Sequence, residues 1–487
     1  MIIFLLAFPV ISILFVLFGG RIAKCIAFGS SVAELIVSFV MFSHYQYNSN
    51  VQFLFDQPWI PQLGIRFTVG MDGISMLMVL LTNILIPLII LSSFKKEYSR
   101  PGLFYGLILL MQTALLGVFT ALDAFAYYIF WEMALVPIYF IILMWGGDNR
   151  VKVTFKFFIY TMAGSLLMLI AIIFLFFQTT EHSFSHQAFA NASSSLSPTV
   201  QGWLFWAFFI AFAIKMPVFP FHTWQPDTYT QAPPQGTMLL SGIMLKMGTY
   251  SLLRWILPIV PLGVAEWGNV AIILSLISVV YGSLIAIGQK DLKRMFAWSS
   301  IAHVGLISAG IFSLTLQGLQ GSMIQMLSHG INIVGLFLVA QIIYDRTKTH
   351  TMSELGGIIS KSPLFAGLFL IILLGSVALP LTDGFIGEFL LLSGIYQYNV
   401  WMAAVAGLTI ILGAVYMLRA YQRTILGEMN GHTEEFAPLH WNETLVLVCI
   451  AGMVIFIGVY PQPILDLTGP AIKNIVDTIN NQIYTLR

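Results

Sequence analysis

The chain has little charge and almost no cysteine. Only 9% of its 487 residues are Asp, Glu, Lys or Arg, against 58% hydrophobic residues, and the mean hydropathy is +0.88. That is too little polar surface to cover a water-soluble particle of this size, so the chain reads as an all-α polytopic membrane protein. A formal net charge of +1 leaves no basic excess, and the basic residues lie in short separate loops, which excludes nucleic acid as a partner. Cys25 and Cys449 stand alone in apolar surroundings, which excludes a disulfide framework and a CxxC pair for zinc or iron–sulfur. No cofactor or metal is therefore expected in this chain. No small-residue cleavage site follows the first apolar run; MIIFLLAFPVISILFVLF continues into GGRIAK and reads as the first span.

What is present is apolar sequence in helix-length blocks. A bilayer core about 30 Å thick takes roughly 20 apolar residues per helix, which gives about fourteen spans. They fall near 2–19, 23–44, 71–93, 102–121, 122–144, 155–178, 201–221, 237–257, 265–288, 293–315, 318–344, 363–396, 400–421 and 443–462. Polar stretches at 45–70, 182–200 and 345–361 read as loops. Sixteen of the 22 basic residues cluster after odd-numbered spans, including Lys95, Lys96, Arg150, Lys152, Lys290 and Lys293. The positive-inside rule places those loops in the cytoplasm and both termini outside.

The informative residues are charges at bilayer depth, each costing at least about 2.5–3.5 kcal/mol on insertion scales. Glu132 lies in YYIFWEMALVPIYF, Lys215 in AIKMP, Lys246 in SGIMLKMGTY and Glu388 in GFIGEFLLL. Lys246 has about nine residues on either side, roughly 13 Å of helix, too far for its stem to reach an interface easily. His303 in SSIAHVGL and His329 in QMLSHGIN add two side chains of the type whose unperturbed pKa lies near neutrality, also half-way along their spans. One such group is often a structural ion pair or a packing residue. Four central charges on four spans, with histidines on the spans between, form the pattern of a proton relay. Prolines mark the same places: Pro137 follows Glu132, Pro217 and Pro220 follow Lys215, and the break at 378–384 precedes Glu388. Irregular backbone at this depth is tolerated only inside protein or beside a wet cavity, and paired broken helices point to a site within two repeated halves.

The stretches FWEMALVPIYFIILMWGG, AIKMPVFPFHTWQPDTYTQAPPQGTMLLSGIMLKMGTYSLLR, KDLKRMFAWSSIAHVG, MIQMLSHGIN and GFIGEF resemble the antiporter-like membrane subunits of respiratory complex I, NADH:quinone oxidoreductase. Within them the likeness is to the M-type (chain 4) group, over about residues 70–425. The resemblance implies fourteen core helices with helices 7 and 12 broken. Helices 1–3 would fill residues 1–101, two inverted five-helix repeats (helices 4–8 and 9–13) residues 102–257 and 258–424, and helix 14 with a tail residues 425–487. It implies that Glu132 and Lys215 form a pair whose separation tunes the lysine's proton affinity. Lys246 would be the central carrier, and His303 and His329 would bridge to Glu388. It also implies partners: other membrane-arm subunits, sister antiporter-like subunits among them, with flavin, iron–sulfur and quinone sites elsewhere in the complex. The setting would be an energy-transducing membrane, the bacterial cytoplasmic membrane.

Glu388 separates the relatives. Sister subunits and cation/proton antiporter subunits usually carry lysine there, so glutamate favours complex I over a multisubunit antiporter or a membrane-bound hydrogenase. The four central charges weigh against a purely structural scaffold. At 226–237 the chain reads PDTYTQAPPQGT where the family pattern is PDAHTEAPTAGS. Tyr229 and Gln231 replace a histidine and a glutamate, which puts a proton-loading role for that loop in doubt. Asp383 in PLTDGF reads as a turn residue, with a cavity-edge acceptor as the alternative.

Overall fold

A computed structural model describes residues 1–485. The first half runs α1 (Ile2–Phe18), α2 (Ala23–Ser43), β1 (Gln52–Ile60), β2 (Ile65–Met71), α3 (Gly73–Ser92), α4 (Pro101–Thr120), α5 (Ala124–Met133), α6 (Leu135–Trp145), α7 (Arg150–Gln178), α8 (His186–Ser193), α9 (Pro198–Lys215), α10 (Gln225–Gln231), α11 (Pro234–Leu239) and α12 (Leu245–Ser251). The second runs α13 (Pro261–Gly288), α14 (Leu292–Phe312), α15 (Leu316–Thr347), α16 (Ile358–Lys361), α17 (Pro363–Ser376), α18 (Asp383–Tyr398), α19 (Val400–Thr424), α20 (Trp441–Val459) and α21 (Gln462–Thr485). Among the described residues, eleven helices are long and apolar enough to cross a membrane, α1 and α17 being shorter apolar ones. The chain is a helical, multi-span membrane protein, its strands confined to one antiparallel pair.

Three sequence expectations change. The loop at 45–70 is largely the β1–β2 hairpin, on which Arg66 pairs with Asp56 at 2.8 Å. The Ser-rich loop at 182–200 contains α8, started by the Ser185 hydroxyl accepting from the Ala188 amide. The tail over 462–485 is a helix, α21, packed on α3, α13 and α15. Its hydrophobics alternate with polar residues at helical spacing, a pattern too polar for a span search to find.

Helix starts follow local chemistry. Asp72, Asp123 and Asp291 cap α3, α5 and α14, each accepting from amides of the first turn. Asp72 also accepts from Arg254 at 2.7 Å. Burial opposes its charge, yet the Arg254 guanidinium and the capped amides hold its carboxyl below the usual carboxylate range. Glycine sets one approach that matters for the site. A Cβ at Gly394 of α18 would lie 2.3 Å from the Gly318 amide of α15, and one at Gly321 would lie 2.6 Å from the Leu391 amide. Only bare backbone lets α15 and α18 pack this closely.

The basic clusters give the orientation a direct test. Cysteines at the exposed positions Lys95, Lys152 and Lys290 are expected to label from the cytoplasmic side of sealed vesicles, and one at exposed Ser195 from the other side. Labelling of all four from one face would overturn the positive-inside assignment.

Candidate functional site

Each expected charge sits where a helix is interrupted. Pro137 cannot donate to the Met133 carbonyl, and the helix parts between α5 and α6, one residue after Glu132 ends its own turn. Lys215 is the last residue of α9, where an ammonium complements the negative end of the helix dipole. Beyond it Met216–Trp224 is non-helical, and two side chains satisfy the freed backbone. The Trp224 indole donates to the Ile214 carbonyl at 2.9 Å, and the Ser278 hydroxyl accepts from the Phe219 amide at 2.7 Å. Glu388 lies on the second turn of α18, after the break at Val377–Thr382.

Lys246 stands between two wide π-helical turns, Leu240–Met244 and Leu252–Ile256. Such turns leave a carbonyl without its regular partner. The Lys246 ammonium donates to one of these, Ser241 O, at 2.7 Å, and lies 2.8 Å from His329 Nδ1. His329 Nε2 is 3.0 Å from the Ser300 hydroxyl. The rings of His329 and His303 are tilted by 52° with centroids 5.9 Å apart. His303 Nδ1 is then 3.2 Å from Glu388 Oε1, in ion-pair reach though out of line for a hydrogen bond. Gln325 donates to the same carboxylate oxygen at 3.5 Å.

Lys246, His329, His303 and Glu388 thus form one buried array across four helices, each 0–5% exposed. Neutral imidazole can take a proton at one nitrogen and give one from the other, so the array brings titratable acceptors and donors together inside the protein. No ion pair within 4 Å involves Lys246 among the described residues, so a carbonyl and an imidazole, not a carboxylate, hold the ammonium.

Glu132 and Lys215 are not in direct contact. Lys215 lies over the Trp131 ring, 5.1 Å from its centroid, and Glu132 acts on it only as a nearby charge. Glu132 Oε1 has no hydrogen-bond partner. The pair therefore stands apart.

The region of the NADH:quinone oxidoreductase/Mrp antiporter transmembrane family matches residues 121–413, which contain all six of these residues. NADH-quinone oxidoreductase subunit M of Rickettsia typhi is 40% identical over 482 residues, 96% of this chain and 97% of that protein. The chain belongs to this family. Subunit M of Escherichia coli is 37% identical over 444 residues, covering 89% of this chain and 87% of that protein. Respiratory complex I from Thermus thermophilus with bound NADH contains a chain that superposes with a TM-score of 0.91 at 29% identity, covering 98% of this chain and all of that one. The Mrp complex from Dietzia shares the fold, with a TM-score of 0.86 at 19% identity and 99% of each chain covered.

In this member of the NADH:quinone oxidoreductase/Mrp antiporter family, sequence reasoning missed the groups that are not ionisable. Ser300 lies three residues before His303, one helical turn away, which was a findable signal. Trp131 was adjacent to Glu132 in the motif. The Ser241 carbonyl had no signal, because no residue type announces a wide turn.

Proposed function

We propose that this chain is the M-type, proton-translocating membrane subunit of an NADH:quinone oxidoreductase, working in a multisubunit membrane complex beside other antiporter-like subunits. It does no redox chemistry itself; flavin, iron–sulfur centres and quinone belong to partner subunits. The observation that carries the reading is the buried array Lys246–His329–His303–Glu388. Electron transfer elsewhere in the complex changes the separation of Glu132 and Lys215. A carboxylate close to a buried ammonium favours the charged form, and its withdrawal favours release of the proton, which moves on to Lys246 and then through the two imidazoles to Glu388. Each charge moved against the membrane potential requires about 2.3 kcal/mol per 100 mV, a scale that making or losing one partly buried ion pair can match. A cation/proton antiporter subunit is the second reading, favoured by the shared fold of the Mrp complex. Glu388 and the 40% identity to subunit M favour the first.

The test uses the tagged chain purified with whatever it binds. Flavin and iron–sulfur partners are expected to co-purify with NADH:quinone activity. In the same preparation Glu132→Gln is expected to leave the complex assembled while lowering turnover and proton uptake about ten-fold or more, because a neutral amide cannot modulate the lysine. Full activity in Glu132→Gln, or absence of those partners, would sink the reading.

A further inference from the structure

Asp383 is more than a turn residue. It is the first residue of α18 and wholly buried. Its Oδ1 accepts from Asn332 Nδ2 at 3.0 Å and from the Gly384 amide at 2.8 Å, and the Ser328 hydroxyl lies close to the carboxyl, while the buried Oδ2 makes no hydrogen bond of good geometry. A helix N-terminus accounts for a carboxylate at Oδ1 but not for a second oxygen left unbonded inside the protein.

What lies beside it is the end of the array. A small cavity, about 10 Å³ open to the centre of a water molecule, is walled by His303, His329, Ser328, Asn332 and Gly375 among others. That is close to the room one water needs. Three polar atoms around it have unmade hydrogen bonds: His303 Nε2, Asn332 Oδ1 and Gln325 Oε1. Gly375 closes the far wall, and a Cβ there would come within 2.7 Å of Asn332 Oδ1 and 3.0 Å of Asp383 Oδ1. Asp383 itself lies one residue behind the wall: Asn332, which lines the cavity, donates to its carboxylate, and the missing side chain of Gly375 leaves space beside both.

We infer that Asp383 is a second proton-accepting carboxylate at the end of the relay, a branch alternative to Glu388, reached from His303 Nε2 through one water at Asn332. The inference rests on the proposed relay. The N–H bond of a His303 imidazolium breaks, the water passes a proton on, and an O–H bond forms on Asp383, so the histidine becomes neutral as the carboxylate becomes a carboxylic acid. Glu388 accepts at His303 Nδ1, and Asp383 accepts from the opposite nitrogen, so one imidazole serves two acids.

The titratable groups facing this place are His303 from α14, His329 from α15, Tyr416 from α19 and Glu388 on α18 itself. Helix α17 carries none, and α20 carries only Cys449 and Glu443, the latter bonded to Arg346.

Asp383→Asn keeps the acceptor for Asn332 and for the Gly384 amide but cannot titrate. In the intact complex it is expected to lower NADH-driven proton uptake at least about five-fold and to alter the pH profile of turnover; Asp383→Glu restores most of both. Asn332→Leu, of similar size, keeps the Asp383 carboxyl and its bond from the Gly384 amide and is expected to lower uptake as well, which covers the case in which Asp383→Asn does not assemble. Wild-type uptake and pH profile in assembled Asp383→Asn, or in Asn332→Leu, overturn the inference. Glu388→Gln is measured alongside: wild-type uptake there removes the relay itself, whereas an impaired Glu388→Gln with an unaffected Asp383→Asn removes only the Asp383 branch.

Discussion

Replacing Lys246 with methionine is expected to stop proton translocation while leaving the complex assembled and at least as stable. The ammonium is fully buried and its partners are a carbonyl and an imidazole, so it is retained at a desolvation cost. Exchanging the buried ammonium for an apolar side chain of similar shape removes its desolvation cost, which offsets the loss of a partner at Ser241 O and His329 Nδ1. A loss of proton uptake of about 100-fold, the scale of a missing proton-transfer group, without a fall in melting temperature would separate function from folding. Lys246→Arg sharpens the result. Arginine keeps the positive charge but does not release its proton in proteins. A fixed-charge role predicts that arginine works, and a carrier role predicts that both variants fail. Uptake near wild type in either one would remove Lys246 from the pathway.

The second large effect is at Glu388. Glu388→Gln is the near-isostere and preserves the contacts with His303 and Gln325 in outline, but it abolishes titration. Glu388→Asp keeps the acid and withdraws it by one methylene. A proton-carrying role ranks aspartate above glutamine, and a packing role ranks them in reverse. Glu388→Lys is the informative third case, since an ammonium can also carry a proton but would face His303 across 3.2 Å of low-dielectric space. Proton uptake in vesicles, with assembly checked on native gels, gives the order. A wild-type rate for Glu388→Gln would return the residue to a structural role.

The ionisable part of the site was legible because charge at bilayer depth is costly, so each such residue stands out against an apolar background. Glu132, Lys215, Lys246, His303, His329 and Glu388 all carry that signal in isolation. Their grouping does not. That His329 touches Lys246, and that Glu132 stands off from Lys215, depends on packing between helices far apart in sequence. The helix interruptions at 216–224 and 377–382 were legible from proline, which removes a donor and clashes with the preceding turn. Helix α21 was not legible as a packed element, since an amphipathic helix lacks the uninterrupted hydrophobicity that marks a span. Asp383 shows the limit most clearly: PLTDGF looks like a turn, and only packing against the bare backbone of Gly375, eight residues earlier, sets its carboxyl beside Asn332, a residue of the cavity wall.

The two wide turns around Lys246 also fix its angular phase. A regular helix advances about 100° per residue, and each π-helical turn inserts one residue's worth of rotation. Lys246 is therefore turned by about that angle from the face it would share with α11, and the chain is turned again before it leaves through Leu252–Ile256. Residues that a 3.6-residue period assigns to one stripe between 237 and 257 belong to different ones. The first offset alone lies between α11 and the lysine, so the register of the backbone, as much as the identity of the side chain, sets which neighbour the ammonium meets.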